Sequence, residues 1–284
     1  MRRSIFVFLL SALAVVAGAA DGLREGKEIS YATVGEKELL LDWFRPDDDK
    51  TYPGIILIHG GGWTGGSRKA FEPMAKELAT AGYVVANVDY RLATEAKFPG
   101  AVVDCKAAVR WMRGNAENLG LDLSFIAAIG GSAGGHLAGM IANTGETQLF
   151  DAPGDYPENS DSVQAIIMMG AGVDQVARVK ESKSGSIKNC VIFFGGEYDE
   201  VPELYAQGSP ITHISESTPP TLMIDGEKDR PGERYVDYRK KLDEFGVRNE
   251  FVMVPGAKHG AWGKEPYRSQ FRKAMLDFLS SVRQ

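Results

Sequence analysis

Residues 130–134 read GGSAG, a serine between small residues in the order G-x-S-x-G. A serine hydroxyl is a weak nucleophile and needs a base to take its proton. On a sharp turn from strand to helix the hydroxyl stands above the sheet, and small flanking residues let the helix approach the strand. The run SFIAAIGGS (Ser124–Ser132) predicts that strand, and AGGHLAGMIAN (Ala133–Asn143) predicts that helix. Ser132 is therefore the candidate nucleophile. In a chain with 33 glycines the bare pattern also describes a Gly-rich helix start, and the flanking elements decide between the two.

Four histidines are available as the base: His59, His136, His213 and His259. His59 precedes three glycines and is placed to brace that loop. His136 lies one turn into the predicted helix, where its side chain points into packing. His213 sits in the irregular stretch SPITHIS. His259 sits in VPGAKHGAW, between the last predicted strand and the last predicted helix, a position that returns it over the strand ends. His259 is the candidate base, with His213 as the minor alternative. A third group must orient the imidazole and stabilise its charged form, and in this arrangement the chain order is Ser, acid, His. TLMIDGEKDRPGE offers Asp225, Glu227 and Asp229. Asp225 lies at the strand end, where it can cap the turn. Asp229 lies further into the loop and is the favoured acid, with Asp225 second.

Attack on an acyl carbon builds negative charge on its oxygen, and backbone N–H groups aimed at that oxygen stabilise it. The apolar run Gly54–Ile58 passes directly into His59-Gly60-Gly61-Gly62. Glycine lets amides turn inward with no side chain in the way. Gly61 and Gly62, with Ala133, are the candidate oxyanion donors; a plain Gly-rich turn is the alternative. Trp63 either lines the pocket or belongs to the core.

The elements that must position these residues alternate along the chain. Strands are predicted at 37–44, 54–58, 83–90, 124–132, 162–170, 220–226 and 249–256. Helices are predicted at 68–82, 100–120, 133–143, 232–246 and 267–283. Repeated β then α indicates a parallel sheet covered on both faces. The first strands, near Glu28–Phe44, have no helix between them and predict an antiparallel edge. Residues 144–161 and 174–219 break the rhythm, and loops of that length are often functional. CVIFFGG (Cys190–Gly196) fits a strand or a short apolar helix equally well. Phe150 and Tyr156 lie in the first of these loops, within conceivable reach of the site.

The chain has 284 residues, 25% charged and 44% hydrophobic, as expected for a globular protein, and no repeat or linker divides it. Arg2 and Arg3, an apolar run from Ile5 to Ala17 and the small residues AGAA form the pattern of a secretory signal peptide, with cleavage near Ala19/Ala20. The run is short for a membrane span. The expected organisation is residues 1–20 as signal peptide and 21–284 as one catalytic domain. The formal net charge is −6, and −8 without the two arginines of the leader. That balance argues against a nucleic-acid partner. Asp47–Lys50 (DDDK) reads as a solvated loop rather than a metal site. Cys105 and Cys190 read as buried thiols, with one disulfide as the alternative in an exported chain.

Taken together, HGGGW, VDYRLATEAKFPGAVVDCKAAVRWMRGNA, IGGSAGGHLA, SPITHIS, DGEKD and PGAKHG resemble an α/β-hydrolase. More narrowly they resemble the HGGGW-bearing esterases: the hormone-sensitive-lipase-like group and the bacterial feruloyl and acetyl carbohydrate esterases. The matching pieces span about residues 36 to 265. The resemblance implies a Ser132–Asp229–His259 triad, an oxyanion hole of Gly61, Gly62 and Ala133, and no metal or organic cofactor. It also implies a small cap from residues 174–219, with short helices at CVIFFGG and PELYAQGSP. Where the family has an apolar pair and Pro after its acid, this chain has Arg230-Pro231-Gly232, which puts the shape of that loop in question. The expected activity is an exported serine carboxylesterase acting on small acyl or feruloyl esters, including esters of polysaccharide. A serine peptidase or formyl-amidase on the same fold, and a non-catalytic binding module, are the alternatives. Oligomeric state is not legible in the sequence.

Overall fold

The computed structural model describes residues 22–145, 147, 149–150, 155–181 and 186–283. The expected signal segment, residues 1–20, lies outside them. The chain begins with a hairpin, β1 (Leu23–Val34) and β2 (Lys37–Pro46), followed by β3 (Tyr52–Ile58). Alternation then sets in: α1 (Glu72–Thr80), β4 (Val84–Val88), α2 (Gly100–Gly114), α3 (Ala116–Leu119), β5 (Leu121–Gly131), α4 (Ala133–Asn143) and β6 (Ala165–Met169). Three helices follow, α5 (Gln175–Glu181), α6 (Ser186–Phe194) and α7 (Pro202–Gln207). The chain closes with β7 (Thr221–Gly226), α8 (Val236–Glu244), β8 (Asn249–Val254) and α9 (Tyr267–Val282).

Among the described residues, eight strands form one sheet in the order β1-β2-β4-β3-β5-β6-β7-β8. The β1–β2 and β2–β4 pairs are antiparallel; every other pair is parallel. This is the α/β-hydrolase architecture that the alternation and motifs implied. Successive strand residues point to opposite faces, and β3 shows the result. Ile56 and Ile58 join the layer that contains Val102, Val109, Leu137 and Ile141 of α2 and α4. Ile55 and Leu57 join the layer that contains Leu78 of α1 and Phe271 and Met275 of α9.

Element boundaries differ from the sequence expectation for local reasons. The helix predicted over 100–120 ends at Gly114, because the Asn115 amide side chain donates to the Trp111 carbonyl and closes the last turn. Gly120, left-handed at φ 57°, ends α3, so β5 starts at Leu121 rather than Ser124. The helix predicted from Arg68 opens with a 3₁₀ turn, and the α-helix proper starts at Glu72 with Pro73 in its first turn, where a missing N–H costs nothing. CVIFFGG resolves as helix: Cys190, Phe193 and Phe194 are buried at helical spacing in α6. Cys105 is buried as well. Phe150 packs on Phe98 and His213, and Tyr156 lies against Gly114 and Asn115, so neither reaches the ends of β5 and β7 where the candidate residues gather. Among the described residues no helix is long and apolar enough to cross a membrane.

Ile56 is fully buried between β4 and β5. Replacing it with Ala removes three buried carbons from a layer that cannot collapse around the gap. The expected cost is about 2–5 kcal/mol, read as a lower urea midpoint at unchanged slope.

Candidate active site

The register of β3 on β5 sets Ile58 opposite Gly130, so the two motifs leave the sheet side by side. Ser132 sits at φ 54°, ψ −117°, between β5 and α4. Its amide donates to the Met169 carbonyl of β6 (2.7 Å), and its carbonyl accepts from His136 (3.0 Å). The neighbouring glycines are required by contact. A Cβ on Gly134 would lie 2.0 Å from the Ile58 carbonyl oxygen, and one on Gly130 would lie 2.2 Å from that of Gly134. Only glycine lets α4 approach the two strands this closely.

The structure brings Ser132, His259 and Asp229 into one hydrogen-bonded chain. The carboxylate of Asp229 can only accept, so Nδ1 of His259 carries the proton and donates to Oδ2 (2.7 Å). That leaves Nε2 as an acceptor, 3.0 Å from Ser132 Oγ. Burial pushes the Asp229 carboxyl up, but the His259 hydrogen bond and Arg234 outweigh it, and the group titrates below its ordinary value. Asp225 does not reach the imidazole. It is fully buried at the end of β7, accepts from the Gly232 amide (2.9 Å), and burial pushes its pKa to about 6 despite Arg234 nearby. His213 is also elsewhere, with Nε2 donating to the Gln207 carbonyl (2.6 Å).

The amides of Gly61, Gly62 and Ala133 donate to no protein atom among the described residues. The Gly61 carbonyl is turned away and accepts from Thr64 (3.3 Å) and Gly65 (3.1 Å). Gly61 and Gly62 both hold positive φ. His59 braces this loop: Nδ1 donates to the Gly60 carbonyl (2.7 Å), and the ring stacks on Tyr90 at 4.4 Å. A cleft of about 400 Å³ opens over Ser132, with Gly62, Trp63, Ala133, Asp229 and His259 in its wall. A groove of about 570 Å³ between β8 and α9 contains none of these residues.

Four supporting residues escaped the sequence reading. Arg234 donates to Asp229 Oδ1 (2.9 Å), to the Asp229 carbonyl, and to the Gly170 carbonyl (3.0 Å), which pins the acid's loop to β6. Its only signal was a cation in the same loop as the acid. Trp262 meets the His259 ring edge-on at 5.1 Å. Asn189 of α6 closes over Gly62, where a Cβ would lie 2.2 Å from its Nδ2. Gly208 receives the Nε2–H of His136 on its carbonyl (2.7 Å). Trp63 turns out to be both core and wall: it is 1% exposed, stacks on Phe193 at 4.7 Å, and donates Nε1–H to Nδ1 of His136 (3.1 Å).

The BD-FAE family model matches residues 41–240. The chain belongs to the BD-FAE family. Among its relatives is Esterase LipC of Mycobacterium tuberculosis, 33% identical, the match covering 78% of this chain and 56% of that one. The ethyl acetate hydrolase of Pseudomonas putida is 31% identical, with 87% and 78% covered. A truncated carbohydrate esterase from gut microbiota superposes with a TM-score of 0.81 at 26% identity, covering 93% of this chain and 98% of that one. This BD-FAE chain spans little more than half the length of several curated relatives it matches. Within the matched region, this chain's HGGGW and GGSAG segments are the two that the β3–β5 register sets together.

Burial lowers the His136 pKa to about 4, with Arg178 adding to the effect. Between that value and an ordinary 6.5 the unfolded chain binds a proton that the folded chain refuses, so folding stability falls as pH drops through this window. The loss amounts to roughly 3 kcal/mol. In His136→Gln this contribution disappears. Urea unfolding at pH 7 and pH 4.5 should show a smaller acid-side loss in the variant than in the wild type.

Proposed function

We propose that this protein is an exported serine carboxylesterase, with residues 21–284 as a single catalytic domain and residues 1–20 as its signal peptide. One observation carries the reading: the Ser132–His259–Asp229 chain ends beside three amides that have no other partner among the described residues. In the proposed reaction His259 Nε2 takes the proton of Ser132 as Oγ attacks the ester carbonyl. Asp229, ionised at neutral pH, holds the imidazole tautomer and stabilises the imidazolium. The amides of Gly61, Gly62 and Ala133 receive the oxyanion, an interaction worth about 3 kcal/mol per donor in related sites. His259 then protonates the leaving alkoxide. Water attacks the acyl-enzyme by the same route and regenerates Ser132.

The substrate class in this proposal is a small acyl ester, acetyl to short-chain or feruloyl, with a hydrophilic alcohol part such as a carbohydrate. The names of the relatives support the ester, and the charged rim of the cleft supports the polar alcohol.

The test is hydrolysis of p-nitrophenyl acetate, butyrate and octanoate, methyl ferulate and acetylated xylan by wild type, Ser132→Ala and Asp229→Asn. Ser132→Ala should be inactive. Asp229→Asn should lose about 10³–10⁴-fold in kcat with KM little changed, because the amide favours the wrong tautomer. Folded wild type that cleaves none of these esters would overturn the reading. Export is tested separately, by intact mass: a protein recovered outside the cytoplasm and beginning near Asp21 supports it, and a retained leader opposes it.

A further inference from the structure

The cleft contains three arginines, and two are committed. Arg230 Nε pairs with Glu233 (3.0 Å). Arg234 is held by Asp229 (2.9 Å) and faces Asp225 (3.7 Å). Arg178 of α5 is different. It forms no ion pair among the described residues, and the one hydrogen bond of its guanidinium there is a long contact of 3.4 Å with Gln175 Oε1. The guanidinium lies over the Trp63 ring, 5.4 Å from its centroid. Its Nη1 sits where a Cβ on Gly172 would lie 3.1 Å away. Gly172 follows by two residues Gly170, whose own Cβ would touch Asp229 and His259 at 3.0 Å. The cation therefore stands half-buried in the wall of the same cleft as Gly62 of the candidate oxyanion loop and the candidate acid–base pair.

No carboxylate of the same cleft lies within ion-pair distance of it among the described residues. Asp174 uses Oδ1 to accept from the Ala177 amide (2.9 Å), Glu233 holds Arg230, and Asp229 holds His259. Glu181 and Asp237 are exposed at the rim, where water and salt screen them. A planar guanidinium with donors free matches a carboxylate in two parallel hydrogen bonds, and the aromatic face beneath it keeps it oriented.

We propose that Arg178 receives a carboxylate on the substrate, so that the preferred esters carry a negative charge within reach of the scissile bond. Two chemical sources fit: a half-ester of a dicarboxylic acid, with the charge on the acyl side, or an ester of a hydroxy acid such as a uronic residue, with the charge on the alcohol side. The inference rests on the esterase reading for its reaction but not for its binding.

The experiment compares p-nitrophenyl hydrogen glutarate with p-nitrophenyl valerate for the acyl side, and 4-acetoxybenzoate with 4-methylphenyl acetate for the alcohol side. Wild type, Arg178→Gln and Arg178→Lys are assayed on all four. The expected result is a loss of 10-fold or more in kcat/KM for one charged ester in Arg178→Gln, carried by KM. The neutral esters should change by less than 3-fold, and Lys should recover part of the loss. The side that responds identifies the source. Equal losses on charged and neutral esters, or no selective change on either side, would overturn the proposal. An NMR titration of Ser132→Ala protein with glutarate monoamide and with 4-acetamidobenzoate reads the same contact without turnover. Binding that weakens with Arg178→Gln, in a protein that cleaves no ester, would sink the esterase reading and leave this one standing.

Discussion

The register of β3 against β5 is the constraint on which the rest of the site depends. From Gly54 and Ile126 onward both strands are apolar on both faces, so hydrophobic pattern alone gains little from one register over the next. Shape decides instead. Gly54 faces Leu121, Ile126 and Met112 so closely that a Cβ would fall 2.7–3.2 Å from them. Large side chains on one strand fill the place where the other has none. With that register fixed, Ile58 stands opposite Gly130, and both chains leave the sheet at the same height. A slip of one residue would move the loop by about 3.3 Å. Donors must lie 2.7–3.1 Å from an oxyanion to stabilise it, so the loop would then miss its target. The geometry of the amides is thus set by packing in the middle of the sheet, remote from any reacting atom.

Electrostatic order at the site rests on one cation placed between two carboxylates. Arg234 reaches both Asp225 and Asp229, yet the two acids are driven apart. Asp225 is fully buried and desolvation dominates, so its carboxyl titrates near 6. Asp229 also accepts from His259, and the added hydrogen bond and charge bring it below its ordinary value. The acid that must stay ionised in the proposed reaction is the one that faces the imidazole. The other ties the turn together through the Gly232 amide. The departure Arg230-Pro231-Gly232 fits this division: Arg230 and Gly232 both adopt positive φ around the proline, and the loop folds back onto Asp225 while Asp229 remains in reach of His259.

What was legible in the sequence follows from how narrowly chemistry restricts residue type. A serine on a tight turn, a histidine after the last strand and an acid one strand earlier are confined to a few positions, and Ser132, His259 and Asp229 do meet. The alternation of elements likewise implied a mostly parallel sheet with an antiparallel edge, though not the order of its strands. Boundaries were less legible, because Asn115, Gly120 and Pro73 act through single hydrogen bonds or single dihedrals. The cap was ambiguous because a short apolar run has no period long enough to separate helix from strand. Arg234, Trp262 and Asn189 were invisible for another reason. Asn189 acts on Gly62, brought near only by the fold, while Arg234 and Trp262 lie close in sequence to Asp229 and His259 but carry no mark of the contact they make.

Trp63 shows why such contacts cannot be spared. It and Ser132 both hold positive φ, a state that costs a side-chain-bearing residue of order 1–3 kcal/mol. The two strained residues line the same cleft, where the proposed reaction forms its oxyanion. Strain of this size persists only where the surroundings leave no alternative. Ser132 is held by the Met169 carbonyl and by α4, whose residues are buried along its whole length. Trp63 is held at three points: Phe193 against its ring, Ala93 donating to its carbonyl (2.8 Å), and His136 accepting from its indole. His136 belongs to α4 and donates its Nε2–H to the carbonyl of Gly208, just after α7. One neutral imidazole therefore ties the serine's helix, the glycine loop and the cap into a single unit. The His136 Nδ1 that accepts the indole N–H is also the acceptor that protonation would remove. That is why the aromatic cluster around it, which keeps the ring neutral by excluding water, belongs to the machinery of the site as much as to the core.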